Sequence, residues 1–393
     1  MGGAVIRMHP RHPDQVRSAD WHERGVTLNE VLAEVTGMHA QLARRDAGDD
    51  SLPHPRNCCL NLVAIADDDE EARLAEHVGQ ALSAHHPLRQ LLLELEPAQN
   101  VDRLDAWLHS EAHQTPDGMP VQFERIRLKV TGAGTQRIDS LVPPLLVPEV
   151  PTCLWWLGNP PVSDEAFLRL LELSDLLAVD SATFERPFLV TLELAGLADA
   201  VRRPVPINDF HWARLQPWRE LVAQFFQPAE RRGFLRGLNA VGVDYAGEGR
   251  GNRVAAALLV GWMASALGWR LQRAAAGSGG VVAAFYADAQ DRTVEVHLRS
   301  VPAAALAAGE LAAVRVESAA GGRVSAFAAE RSGADHQRVE VRIDIGESET
   351  LTERLPLQTP APVELLVEML NQRPDQVYMR SLGAAADLLK AFR

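Results

Sequence analysis

Residues 58–95 read CCLNLVAIADDDEEARLAEHVGQALSAHHPLRQLLLEL. The run Cys58–Ala66 is apolar almost throughout, the mark of a strand buried on both faces. Asp67-Asp68-Asp69-Glu70-Glu71 follows, and acidic residues suit the start of a helix, where unpaired N–H groups carry partial positive charge. Leu74, Val78 and Leu82 then recur four apart, and Pro87 stops the pattern. Leu91–Leu95 is a second apolar run. Strand, helix, strand at this spacing predicts a parallel sheet with crossover helices.

The same rhythm extends downstream. Val101–Glu111 reads as helix. Phe123–Val130 alternates, with Ile126, Leu128 and Val130 against Arg125, Arg127 and Lys129, which predicts a strand with one wet face at the sheet edge. Thr152–Leu157 is apolar, Ser163 or Asp164 can cap a helix carrying Phe167, Leu170 and Leu171, and Leu176–Val179 is the next strand. This half reads as a doubly wound, mostly parallel α/β domain. Upstream, residues 1–25 lack periodicity and read as a loose arm, Leu28–Arg44 reads as a helix, and Gly48–Pro55 as a polar loop.

Over residues 211–227, Pro217 suits a first helical turn, and Trp218, Leu221, Val222 and Phe225 form an amphipathic stripe that Pro228 ends. Beyond it comes a strand at Leu238–Val243, a Gly-rich turn, and an apolar helix at Asn252–Trp269. Runs then recur at Val281–Tyr286, Val294–Leu298, Leu311–Val316, Val324–Ala329 and Val339–Ile345. The gaps between them are too short for helices, so they predict an antiparallel meander. Helices at Val363–Leu370 and Ser381–Phe392 close an α+β domain with helices on one face of the sheet. The expected layout is an arm and helix (1–50), an α/β domain (51–227) and an α+β domain (228–393).

Composition narrows the function. The net charge of −13 disfavours a nucleic-acid partner. The apolar run Val254–Trp269 is shorter than the ~20 residues that span a bilayer, so no membrane span is expected. Three cysteines, an odd and sparse count, point to a reducing, cytosolic setting. The only lysines are Lys129 and Lys390. Neither follows a Gly-rich loop, which excludes a P-loop, and neither suits a Schiff base. No G-x-S-x-G elbow occurs and no catalytic triad assembles.

Several groups remain as candidates. Asp180 and Ser181 follow a strand, and strand C-termini are where open α/β folds bind ligands; both can equally cap the next helix. Gly247-Glu248-Gly249-Arg250-Gly251-Asn252 enters a helix, an anion-binding position, but its glycines miss G-x-G-x-x-G and it holds a glutamate, so a flexible turn is the plainer reading. Cys58 and Cys59 are neighbours on a strand and face opposite ways, so a bridge joins either of them to Cys153 more readily than to each other; buried inert thiols are the plainer reading. His109 and His113 have a metal-compatible i, i+4 spacing on the expected helix, without a third ligand. Trp155, Trp156, Trp212 and Trp218, with Arg214 and Arg219 beside them, have the composition of interface hot spots; core packing accounts for Trp218 and for one of the adjacent pair. Arg125, Arg127 and Lys129 offer a basic stripe or simply a solvated strand.

Val150-Pro151-Thr152-Cys153-Leu154-Trp155-Trp156-Leu157-Gly158, Asp180-Ser181-Ala182-Thr183-Phe184 and Trp212-Ala213-Arg214-Leu215-Gln216-Pro217-Trp218-Arg219-Glu220 resemble the P-x-x-L-W-W-x-G, D-S-A-x-F and W-x-R-L-x-P-W-R-E segments of one family. That family is the glucose-6-phosphate dehydrogenase assembly protein OpcA. Gly251-Asn252 entering an Ala/Leu-rich helix that ends in Leu267-Gly268-Trp269 also fits. The resemblance runs from about residue 55 to 270. It implies a partner of glucose-6-phosphate dehydrogenase without chemistry or cofactor of its own, promoting the active oligomer in the oxidative pentose phosphate route. It also implies thiol regulation through thioredoxin, although Cys58, Cys59 and Cys153 match no regulatory position. The strand end at Trp155-Trp156 and the helix start at Trp212–Phe226 would form or brace the partner surface. The competing readings are a sugar-phosphate enzyme or a metabolite sensor with its crevice at Asp180, Ser181 and Asn252.

Overall fold

A computed structural model of the chain describes residues 17–46, 58–84, 86–114, 120–200, 204–247, 252–277, 281–333, 337–346, 349–371 and 375–391. The chain forms two compact units, Met1–Leu157 with Asp164–Leu177, and Gly158–Ser163 with Ala178–Arg393. The boundary expected near residue 228 lies inside the second unit.

The first unit begins with β1 (Arg17–Glu23), α1 (Leu28–Asp46), β2 (Leu60–Ala66), α2 (Asp69–Leu82), β3 (Leu88–Glu96), β4 (Arg103–Gln114) and β5 (Pro120–Thr131). It continues with α3 (Ile138–Leu141), β6 (Thr152–Trp156), α4 (Glu165–Glu172) and β7 (Leu176–Val179). With β8 (Ile207–Asp209), the strands lie in the order β1-β4-β5-β3-β2-β6-β7-β8. Strand β2 is parallel to β3 and β6, and β3 to β5. Counted from β2, the run from β5 to β8 has the order 3-2-1-4-5-6 of a doubly wound dinucleotide fold. Every residue of β2 is buried, Asn61 included, as its nearly unbroken apolar run predicts.

Three expectations fail in this unit. Val101–Glu111 is not a helix but most of β4, which pairs antiparallel with both β1 and β5. Ala106, Leu108 and Ser110 point into the core with period two; two ready partner strands override a pattern that fitted either period. The supposed loose arm supplies one of these partners, its residues from Arg17 onward forming β1, while residues 1–16 lie outside the described set. Strand β5 is interior rather than an edge. Its cationic face is tolerated because the neighbouring helix and strand supply carboxylates. Arg127 and Lys129 each reach Glu94 at 2.6 Å, Arg127 also reaches Glu76 at 3.2 Å, and Lys129 reaches Glu96 at 2.5 Å. Burial pushes Glu94 up, but the hydrogen bonds from Lys129 and Arg127 outweigh it and hold the carboxyl below its ordinary range.

The second unit carries α5 (Pro187–Ala200), α6 (Phe210–Arg214), α7 (Gln216–Phe225), α8 (Arg232–Leu235), β9 (Leu238–Ala246) and α9 (Val254–Leu267). Then come β10 (Arg270–Ala276), β11 (Val282–Ala287), β12 (Thr293–Val301), β13 (Leu311–Ala320), β14 (Arg323–Ser332), β15 (Arg338–Ile345), β16 (Glu349–Pro356), α10 (Pro362–Asn371) and α11 (Gln376–Lys390). The sheet order is β10-β11-β12-β9-β13-β14-β15-β16. It is antiparallel except where β12 runs parallel to β9, the helix α9 having carried the chain across. The meander is therefore interrupted once. It also gains β10 and β16, whose polar, Ala-rich or charged sequences hid them; both are edge strands without a fully buried face.

Helix α9 is buried nearly all round, as its composition predicts, and ends at Gly268 in the left-handed conformation (φ 67°) that glycine adopts without strain. At its middle α9 meets α11. A Cβ on Gly261 would lie 2.4 Å from the Ser381 carbonyl oxygen and 2.9 Å from the Ala385 nitrogen. Both are backbone atoms in a helix and cannot turn away. Gly261→Ala is expected to lower stability by ~1–3 kcal/mol, the usual range for overpacking. A urea midpoint equal to the parent's would show that the two helices separate freely.

Candidate functional site

The switch point of the first sheet lies between the carboxyl ends of β2 and β6, where strand order reverses and where doubly wound folds receive ligands. In dinucleotide-binding proteins a glycine-rich turn and the bare N–H groups of the first helix hold the pyrophosphate there. Here that turn is Asp67-Asp68-Asp69-Glu70-Glu71. The Asp68 carboxylate caps α2 by accepting from the Glu70 and Glu71 amides, both at 2.8 Å. The Glu71 carboxylate accepts from the Asp67 amide at 2.8 Å. The Asp67, Glu70 and Glu71 amides are thus engaged by the chain's own carboxylates, and the surrounding charge is negative. Trp155 and Trp156, at the end of β6, are each 3 % exposed, and Trp156 packs edge-on against Phe167 with ring centres 5.3 Å apart. Both faces of the sheet are therefore covered at this point, and neither indole marks a bare surface.

The expected crevice residues Asp180, Ser181 and Asn252 do come together, in the second unit, with three groups that were not singled out: Asp209, His211 and Tyr378. Asp209 ends β8 and caps α6, accepting from the His211 amide at 2.9 Å. Its carboxylate also accepts from the Ser181 amide (2.9 Å), the Ser181 hydroxyl (2.6 Å) and the Tyr378 hydroxyl (3.4 Å). The Ser181 Oγ lies 3.1 Å from His211 Nδ1. Since the Ser181 proton goes to Asp209, His211 carries its own on Nδ1 and donates to Ser181. A hydrolytic triad needs the histidine to take the serine proton, with the carboxylate behind the histidine. Here the serine stands between the two, and all three side chains are buried.

Burial, helped by the Asp180 charge, pushes Asp209 up to about 6, against the pull of its hydrogen bonds. Burial pushes His211 down to about 4. Arg214 is occupied as well, its two terminal nitrogens reaching the two Asp180 oxygens at 2.9 and 2.7 Å. The Asn252 amide donates to the Ser181 carbonyl at 3.0 Å, and its oxygen accepts from the Val254 amide at 3.0 Å. The cluster is a closed polar network whose members use one another. Residues 248–251 of the Gly-rich loop lie outside the described set.

The helix start at 212–219 is built the same way. The Trp212 indole N–H donates to Asp375 Oδ2 at 2.7 Å, while Asp375 Oδ1 caps α11 through the Val377 and Tyr378 amides. The Arg219 guanidinium lies 3.7 Å above the Trp212 ring, a cation–π stack. Burial lowers Arg219 to about 10. Trp212 and Trp218 are 3 % and 2 % exposed.

The cysteines are not laid out as expected. Strand β2 begins at Leu60, so Cys58 and Cys59 precede it; Cys58 is half-buried, Cys59 exposed and Cys153 buried, and all three are free thiols. The Cys59 amide and thiol both donate to the Pro87 carbonyl, at 2.9 and 3.0 Å, just ahead of the Leu60–Leu88 pair that opens the β2–β3 ladder. Burial raises all three thiols, Cys153 to about 12. His109 lies on β4, not a helix, and its Nδ1 reaches Asp20 at 2.7 Å. Among the described residues no group of three His, Cys, Asp or Glu could hold a metal ion, and no helix is long and apolar enough to cross a membrane.

This is a two-unit protein of the doubly wound α/β plus α+β class, with a self-satisfied polar network beyond the ends of β7 and β8. Residues 79–195 match the family profile for the N-terminal domain of a glucose-6-phosphate dehydrogenase assembly protein, described as a subunit of that enzyme, and residues 205–382 match the profile for the corresponding C-terminal domain. Between them the two matches take in well over half of the chain, which belongs to the OpcA family. A protein of Synechocystis sp., provisionally named OxPP cycle protein OpcA, is 32 % identical over 194 residues, 49 % of this chain and 39 % of its own length. A protein of the same provisional name in Nostoc punctiforme is 33 % identical over 199 residues, 50 % of this chain and 42 % of its own length. The matched part thus spans less than half of these relatives. Among solved structures, a 3-ketoreductase of Actinomadura kijaniata in complex with NADP aligns at 12 % identity with a TM-score of 0.45, over 85 % of this chain and 96 % of its own. Biliverdin reductase of Synechocystis aligns at 9 % identity and 0.44, over 84 % and 98 %.

Proposed function

We propose that this protein is a non-catalytic partner of glucose-6-phosphate dehydrogenase that favours the enzyme's active assembly and so supports NADPH production in the oxidative pentose phosphate route. Family membership supports the partner. The start of α2 carries the non-catalytic part of the reading. The one place where this sheet order would seat a dinucleotide is capped by Asp68 and ringed by carboxylates, so a pyrophosphate would meet repulsion and amides already engaged. The Asp180–Arg214 pair supports it further. The arginine best placed to clamp a sugar phosphate already holds a carboxylate in both arms.

An effector acts by binding one state of its partner more tightly than the other. The proposed contact region is the α6–α7 segment. Trp212 and Trp218 are buried, so in this reading they brace that segment from within, with Arg219 stacked on the Trp212 ring. The test is the rate of the same organism's glucose-6-phosphate dehydrogenase across substrate concentrations, with and without an equimolar amount of this protein. A lower KM or higher kcat, together with co-elution of the two proteins, is the expected result. An unchanged rate without co-elution would sink the proposal. A thermal midpoint raised by glucose 6-phosphate alone would favour a metabolite sensor instead, since a ligand bound to the native state stabilises it.

A further inference from the structure

The eight-stranded sheet of the second unit buries one face under helices and leaves the other accessible. On the covered face Val241, Val243 and Tyr245 of β9 are buried. On the opposite face, at the centre of the sheet, Ala240, Gly242, Ala326 and Ala328 remain only half-buried. Interior strands present small residues in this way when nothing of the described chain lies over them. The sheet is also large. Eight strands ~4.8 Å apart and ~30 Å long give a footprint of about 1,000 Å². A stable interface takes about 800 Å² from each partner.

The strand registers put the side chains of this face into rows that cross the sheet. His297, Gly242, Arg315, Ala328 and Arg342 lie opposite one another in one row. Two residues along each strand, the adjacent row is Glu295, Ala240, Glu317, Ala326 and Asp344. Wherever the first row is basic the second is acidic, and wherever the first is small the second is small. The face therefore nearly balances its charge in a chain that carries −13.

From this pattern we infer that the open face is where a second copy of this chain docks, in a two-fold dimer. A two-fold axis lying in the face, perpendicular to the strands and between the two rows, sets each row against the other row of the partner copy. Arg342 then meets Asp344 and His297 meets Glu295, each contact occurring twice by symmetry, while Glu317 comes to face Arg315, which Asp244 and Glu330 of its own copy also hold at 2.8 and 2.7 Å. Gly242 against Ala240 and Ala328 against Ala326 let the sheets approach at the centre, close to the ~10 Å spacing of stacked sheets. The inference does not depend on the dehydrogenase reading, since it concerns the protein alone.

The experiment is the mass of the purified full chain by sedimentation across concentrations. The variants are Arg342→Glu, Asp344→Arg and the double exchange, with Arg73→Glu on α2 of the first unit as a charge control. Arg342 is 62 % exposed and its visible ion pair is with Asp344 on the same strand, so these changes leave the core intact. The parent and the control are expected to be dimers. Each single reversal places like charges opposite one another and is expected to weaken the dimer by about tenfold or more. The double exchange is expected to restore it to within about threefold of the parent. A parent that is monomeric at all concentrations overturns the inference, as does a dimer indifferent to both single reversals. A parent that stays monomeric, yet loses affinity for added dehydrogenase in the Arg342→Glu variant, overturns it in favour of the dehydrogenase as occupant of this face.

Discussion

Trp212→Ala is expected to cost about 3–5 kcal/mol of unfolding free energy, the range for truncating a buried aromatic side chain. The indole, 3 % exposed, is one of the larger groups in the second unit's core. Its loss does more than open a cavity. The N–H that reaches Asp375 disappears, from an acceptor that also caps α11, and hydrogen bonds to charged groups contribute about 1.5–3 kcal/mol each. Arg219 loses the ring 3.7 Å beneath it. The Arg219 Nε is already buried without a partner, and burial has already lowered the group's affinity for its proton. Trp212→Phe keeps most of the ring volume and the cation–π face but removes the N–H, so about half of the loss should return. Urea unfolding of the three proteins measures this. If Trp212→Ala loses less than about 1 kcal/mol, the α6–α7 segment is not anchored to α11 as described.

Which parts of this protein could be read without a structure follows from how local their causes are. The strands β2 and β6 and the Leu91–Leu93 centre of β3 are almost wholly apolar because they are buried on both sides, and such a run has few alternatives. The cap at Asp164 and the helix start at Gln216-Pro217 are likewise decided within four residues. Strand β4 was misread because Leu104, Trp107 and Leu108 suit a helix as well as a strand. The deciding fact, pairing with β1 some ninety residues upstream, is written nowhere near it. The edge reading of β5 failed for a related reason. A row of Arg and Lys looks wet until Glu76, Glu94 and Glu96 are brought beside it by the fold. At the candidate site, Asp180, Ser181 and Arg214 stood out through their motifs, but their roles did not. Arg214 reads as part of an interface cluster with Trp212 and Trp218, and it is holding Asp180. Asp209 and His211 lay one to three residues before Trp212 and went unnoticed. Asp-x-His ahead of a helix reads as an ordinary cap, and only Ser181, twenty-eight residues upstream, shows that the cap is the centre of a buried network.

That network is expected to add almost nothing to the parent protein's acid response and to make each of two single variants depart steeply from it, in opposite directions. The Asp209 carboxyl is raised from 3.8 to about 6 in the fold. It therefore contributes stability that is complete below pH 3.8 and lost as pH rises through about 6. The His211 imidazole is lowered from 6.5 to about 4. Its contribution is present above pH 6.5 and lost as pH falls towards about 4. Each shift exceeds two pH units, and one unit is worth about 1.4 kcal/mol, so each amounts to ~3 kcal/mol across the window from pH 6.5 to 4. In the parent the two nearly cancel. Asp209→Asn leaves the His211 loss uncovered, so relative to the parent this variant should weaken by ~3 kcal/mol between pH 6.5 and 4. His211→Asn keeps a side-chain N–H near Nδ1 to donate to Ser181 and leaves the Asp209 gain uncovered. It should strengthen relative to the parent by a similar amount over the same window. All other carboxylates are common to the three proteins and drop out of the comparison. Unfolding free energies at pH 4, 5, 6 and 7 supply it. Three parallel curves would show that Asp209 and His211 titrate alike in the folded and unfolded chain.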